Sequence, residues 1–110
     1  MMTDMHENSR ELDQCLTIIR AFDPKQVILF GSRARGDYRP DSDIDLMVIK
    51  EEIKDKKEEI LALYRALWQH KLYPDIVLVT SEHFEEWRET TNHICNEAAL
   101  DGKVVYEKVA

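Results

Sequence analysis

QVILFGSRARGDYRPDSDIDLMVIK, residues 26–50, is the stretch on which the reading of this sequence turns. QVILF (26–30) is a continuous apolar run rich in β-formers, which predicts a strand buried on both faces. Residues 31–42 hold two of the three glycines and one of the three prolines of the chain, so they predict a loop with room for a short helical turn. DIDLMVIK (43–50) returns to apolar β-formers and predicts a second strand.

Outward from this core, Leu12, Cys15, Leu16, Ile19 and Phe22 recur at three- and four-residue steps, which predicts an amphipathic helix over about 8–22, stopped by Asp23 and Pro24. A further helix is expected over 51–71, with Ile53, Ile60, Leu61, Tyr64, Leu67 and Trp68 facing inward and a solvated Glu/Lys-rich first half. DIVLVT (75–80) reads as a third strand after Pro74. Ser81 is expected to cap a last helix carrying Phe84, Trp87, Thr91, Ile94, Cys95 and Ala98, which Gly102 ends. KVVYE (103–107) suits a short edge strand. The expected fold is therefore α/β (α+β): one domain over 1–110, with a small, mixed β-sheet flanked by helices. The order of the strands is not readable from the pattern.

Composition narrows the class of function. With 15 basic and 22 acidic residues the net charge is −7, which argues against gripping a long nucleic-acid backbone. No apolar run approaches the roughly 20 residues of a membrane span, and the first residues lack the pattern of a signal peptide. A cytoplasmic protein is expected, with Cys15 and Cys95 as free buried thiols. His6, His70, His83 and His93 share no metal-site spacing and read as surface residues. Trp68 and Trp87 read as core or partner-facing residues.

The candidate chemistry lies at strand ends. Alternation along a strand puts Asp43 and Asp45 on one side, roughly 7 Å apart, a separation that suits a divalent cation. Without a cation they would repel. Asp75 opens the third strand as Asp43 opens the second. If those strands are neighbours, three carboxylates gather, which is what two-metal phosphoryl or nucleotidyl transfer requires. Gly31 and Ser32 directly follow the first strand, where a small residue lets backbone N–H groups approach a phosphate and the hydroxyl adds a donor. Arg33, Arg35 and Arg39 place three cations within seven residues, suited to a triphosphate or a leaving pyrophosphate.

Gly31-Ser32, ten intervening residues, then Asp43-x-Asp45 resembles the signature of the DNA polymerase β-like nucleotidyltransferase superfamily, with Asp75 matching its third carboxylate. The resemblance runs from about Val27 to Thr80 and implies the nucleotidyltransferase fold. Larger members add a substrate-binding domain, so the sequence looks like a minimal nucleotidyltransferase, the antitoxin of HEPN/MNT toxin–antitoxin pairs. What the resemblance implies is a Mg²⁺-dependent transfer of AMP from ATP to an acceptor hydroxyl, a tyrosine of a helical HEPN partner (AMPylation). Asp43 and Asp45 would bind two Mg²⁺ ions (or Mn²⁺), Asp75 would bind the catalytic one and help deprotonate the acceptor, and Gly31 and Ser32 would hold the β- and γ-phosphates. The acidic last helix (Glu82, Glu85, Glu86, Glu89, Glu97) and the first half of the 51–71 helix are the expected docking surfaces for a basic partner. The alternative is a non-catalytic nucleotide-binding antitoxin or regulatory module that acts by complex formation. Homo-oligomer formation stays open.

Overall fold

Val27, Ile28 and Phe30 are all buried in strand β1 (Gln26–Phe30), as expected of β-branched and aromatic side chains on a pleated surface covered on both sides. The computed structural model describes residues 2–31 and 44–109, with side chains from Arg10 onward. Helix α1 (Met2–Arg20) precedes β1. After β1 come β2 (Asp45–Lys50), α2 (Lys56–Gln69), β3 (Asp75–Thr80), α3 (Ser81–Trp87), α4 (Ile94–Asp101) and β4 (Lys103–Glu107).

The strands form one mixed sheet in the order β3-β2-β1-β4. β1 is antiparallel to both of its neighbours, whereas β2 and β3 run parallel. A parallel pair needs a long connection, and α2 supplies it. Alternation then divides the core. Val27, Leu46, Val48, Ile76 and Leu78 pack against Cys15 and Ile19 of α1 and Leu63 and Leu67 of α2. Ile28, Phe30, Met47, Ile49 and Val79 pack against Phe84 of α3 and Cys95 and Ala98 of α4. This is the helix-flanked mixed sheet expected from the sequence. Among the described residues, no helix is long and apolar enough to cross a membrane.

The boundaries of β1, β3 and β4 coincide with the sequence reading, but the helices depart from it. The 51–71 helix begins only at Lys56, because the Asp55 carboxylate accepts the Glu58 N–H at 3.1 Å and so caps it. Leu61 and Trp68, expected to face inward, are 37% and 49% exposed, and Leu63 takes the buried place beside Leu67. The expected last helix is two helices. Thr80, not Ser81, caps α3 by accepting the His83 N–H at 3.1 Å. The chain then breaks between Arg88 and His93, with Asn92 in the left-handed region at φ 68°. His93 is no surface bystander. Its Nδ1 accepts the Cys95 N–H at 3.1 Å to cap α4, and its ring stacks on Trp87 at 4.9 Å. Trp87, 37% exposed, is therefore not a core residue. Thr91 and Ile94, also expected on that helix, are exposed. Gly102 ends α4 as expected, its N–H donating to Ala98 O at 2.9 Å.

Cys15 and Cys95 are free, buried thiols. Burial, helped by the nearby Glu11 carboxylate, pushes the Cys15 thiol up to about 12, and burial raises Cys95 as well.

Candidate active site

Three strand ends meet at one end of the sheet. Because β1 and β2 are antiparallel, Phe30 at the end of β1 pairs with Asp45 at the start of β2. Because β2 and β3 are parallel, Asp45 pairs in register with Asp75 at the start of β3. The Asp75 N–H donates to Ile44 O at 2.8 Å, which secures that register. Adjacent strands lie about 4.8 Å apart and in-register residues share a face. The two carboxylates are therefore neighbours on the face that carries Met47, Ile49 and Val79, where the α3–α4 layer packs. Asp45 is half-buried and Asp75 exposed.

Gly31 adjoins this pair. It is buried and holds φ 80°, a conformation that side chains other than glycine's rarely adopt. A Cβ built there would collide with the Asp45 carboxylate Oδ2 and lie 3.2 Å from its Cγ. The backbone leaving β1 thus runs directly against an acidic side chain, a closeness that only glycine permits. Gly31, Asp45 and Asp75, separated in sequence, are brought together. Ser32, Arg33, Arg35, Arg39 and Asp43 lie outside the described residues.

Two carboxylates on adjacent strands repel when both are charged, and a hard cation relieves that repulsion while accepting oxygen ligands. The donor set at Asp45 and Asp75 fits a divalent ion of the Mg²⁺ or Mn²⁺ kind. Among the described residues no group of three His, Cys, Asp or Glu side chains could hold a metal, and the third expected ligand, Asp43, is not among them.

One contributor had no recognisable signal in the sequence. Tyr64 of α2 was expected only as an inward-facing residue, yet its hydroxyl accepts the Ile76 N–H at 2.9 Å, directly after Asp75. A helix-periodic aromatic residue announces packing, and nothing in the pattern shows how far its oxygen reaches. α2 is itself anchored beyond its cap. Glu59 accepts from Lys50 Nζ at 2.6 Å and from the Lys54 N–H at 2.9 Å. The Lys50 ammonium holds the Glu59 carboxyl below its ordinary range.

Known proteins bear on this arrangement. A protein of Methanocaldococcus jannaschii named "putative protein adenylyltransferase" is 50% identical over 34 residues, 31% of this chain. The matched stretch spans only 34% of that relative's length. The crystal structure of a "putative nucleotidyltransferase" from Sulfolobus solfataricus superposes with a TM-score of 0.66 at 21% identity, covering 96% of this chain and 87% of that one. A chain from the complex of tri-AMPylated Shewanella oneidensis HEPN toxin with MNT antitoxin superposes with a TM-score of 0.57 at 19% identity, covering 91% of this chain and 72% of that one. At these identities the structural likeness speaks for the fold. The sequence model described as nucleotidyltransferase domain matches residues 12–102, a span that takes in Gly31, Asp45 and Asp75 and runs to the end of the α3–α4 layer. This chain belongs to the nucleotidyltransferase domain family.

Proposed function

We propose that this protein is a nucleotidyltransferase that uses a divalent cation to move AMP from ATP onto a tyrosine hydroxyl of a helical HEPN-type partner, and so acts as an antitoxin. The observation that carries this reading is the in-register pairing of Asp45 with Asp75 beside Gly31 at one end of the sheet. Asp45 and Asp75 would hold the ion, together with Asp43. Bound there, Mg²⁺ or Mn²⁺ supplies charge neutralisation at the triphosphate and lowers the pKa of the attacking hydroxyl. Gly31, lacking a side chain, leaves the backbone open to the β- and γ-phosphates, with Ser32 as an added donor and Arg33 and Arg35 as counter-charges. The acceptor oxygen attacks the α-phosphorus, the bond from that phosphorus to the bridging oxygen breaks, and pyrophosphate leaves. Asp75, the more exposed carboxylate, takes the proton of the acceptor hydroxyl.

Support for the chemistry comes from membership of the family and from the name of the archaeal relative. Support for the partner comes from the fold shared with a chain of the HEPN–MNT complex. The net charge of −7 suits a partner with a basic face. Glu82, Glu85 and Glu86 on α3 are exposed for such contact.

The test is co-expression with the product of the neighbouring gene, then intact-mass spectrometry after incubation with ATP and Mg²⁺. A mass gain of one or more AMP units on that protein's tyrosines is expected. An unmodified partner in a complex that still forms would leave the non-catalytic binding module as the reading.

A further inference from the structure

We infer that Tyr64 is the positioning residue for Asp75, clamping the start of β3 so that the carboxylate is held ready for its cation; this rests on the transfer reading above. Among the described residues β3 is an edge strand of the sheet, with β2 on one side only. Asp75 is its first residue, the place where a strand frays most readily. Two peptide groups flank the Asp75 Cα and together set the direction of its side chain. The peptide before it is pinned by β2, through the Asp75 N–H on Ile44 O at 2.8 Å. The peptide after it carries the Ile76 N–H, which points away from β2 as alternate groups of a strand do. Tyr64 Oη accepts that N–H at 2.9 Å and lies 3.5 Å from Ile76 O, so a side-chain hydroxyl stands in for a missing neighbouring strand.

The clamp rests on a packed base. The Tyr64 ring stacks on Trp68 at 5.4 Å and packs on the cluster that includes the buried Leu63 and Leu67. α2 is fixed at its start by the Asp55 cap and by the contact between Lys50 and Glu59. A Mg²⁺-type ion demands near-ideal ligand geometry, so freedom at the first residue of an edge strand would cost affinity. Tyr64 touches neither ion nor substrate in this scheme. It acts through the backbone of Ile76.

The Tyr64→Phe variant keeps the ring, its stacking and its packing, and removes only the oxygen. Two measurements are made on it and on the wild type: amide hydrogen exchange at Ile76 in metal-free protein, and Mn²⁺ titration followed by paramagnetic broadening of resonances around Asp45 and Asp75. The expected result is Ile76 exchange faster by about three- to tenfold, the loss of one hydrogen bond, with the Mn²⁺ half-saturation raised by a similar factor. In a transfer assay the variant's rate should recover at high Mn²⁺ while the KM for ATP stays within twofold of wild type, roughly the scatter for a distant change. Unchanged Ile76 exchange overturns the clamp. Faster exchange with an unchanged Mn²⁺ titration overturns the positioning role and leaves Tyr64 as packing alone, with the transfer reading intact. A wild-type protein with no Mn²⁺ response at Asp45 and Asp75 sinks the transfer reading, and this inference with it.

Discussion

At the end of the sheet where β2 finishes, acids and bases meet in pairs: Lys50 with Glu59 at 2.6 Å, Lys25 with Glu51 at 3.0 Å and Lys108 with Asp23 at 2.8 Å. At the other end, where β2 begins, Asp45 and Asp75 stand side by side on adjacent strands, with Gly31 pressed against the first of them. The same sheet thus carries charge in two ways. At the far end each of these three carboxylates has a lysine close by, and the pairs tie loops and helix starts to strand ends. At the near end two carboxylates are brought together by backbone register. At one end side-chain contacts fasten the sheet, and at the other the register of the strands decides which side chains meet.

The comparison makes unequal demands on the two ends, and substitutions can test it. The largest effect is expected at the near end from Asp45→Asn. Transfer should fall by more than about 100-fold, beyond the loss that follows when only a ligand's supporting partner is removed. The carboxamide keeps the size of the carboxylate and one oxygen acceptor, so the melting temperature without metal should hold. An AMP-transfer assay and a thermal melt on the same preparation decide this. A large loss of stability would show the near end to be structural like the far one.

Next comes Gly31→Ala. It forces a side chain into the left-handed region and against the Asp45 carboxylate. Urea unfolding should show a loss of about 2 kcal/mol or more, and transfer should weaken with it. Stability equal to wild type would mean that the near end yields easily, contrary to a preorganised site.

At the far end Glu59→Gln should cost about 1 kcal/mol at neutral pH and lower transfer far less than Asp45→Asn does, since it acts only through the seating of α2. Its pH dependence follows from the lowered carboxyl of Glu59. A carboxyl lowered in the folded state stabilises the fold above its unfolded value of about 4.3, and that contribution disappears as pH falls through the folded value. Wild type and variant should therefore differ at pH 7 and converge in acid, as melts across a pH series would show. A constant difference would assign the effect to shape rather than charge. The smallest effect is expected of Lys25→Ala. Its ion pair with Glu51 is more than half exposed on both sides, so the change in unfolding free energy should stay within about 0.5 kcal/mol.

Much of the near end was legible from residues alone, for local reasons. QVILF, DIVLVT and KVVYE are short β-rich runs between punctuating residues, and each became a strand with the expected bounds. Gly31, Asp45 and Asp75 stood out because they sit at strand ends and because the spacing from Gly31-Ser32 to Asp43-x-Asp45 resembles a family signature. That they converge is a long-range fact, since it depends on β3 pairing in parallel with β2, and hydrophobic pattern is silent on pairing. Helix limits were less legible, because they rest on single hydrogen bonds: Asp55 to the Glu58 N–H, Thr80 to the His83 N–H and His93 to the Cys95 N–H. Periodicity carries straight through such caps, which explains why one helix was expected where α3 and α4 stand. The Tyr64 contact with Ile76 escaped for the same reason, being a matter of reach and not of pattern.

The parallel pairing of β2 with β3 has a consequence for the life of the molecule before it is folded. The two carboxylates belong to strands separated by the whole of α2, so a growing chain on the ribosome carries Asp45 long before Asp75 has emerged. Until α2 has docked and β3 has found its neighbour, Asp45 and Asp75 stay far apart. Such non-local pairings form late, since the entropy of closing the intervening loop must be met first. The meeting of Asp45 with Asp75 is therefore a report that the sheet is complete. Any ligand that takes both carboxylates at once would in turn favour the finished fold by mass action, tying the longevity of each copy to the same two side chains.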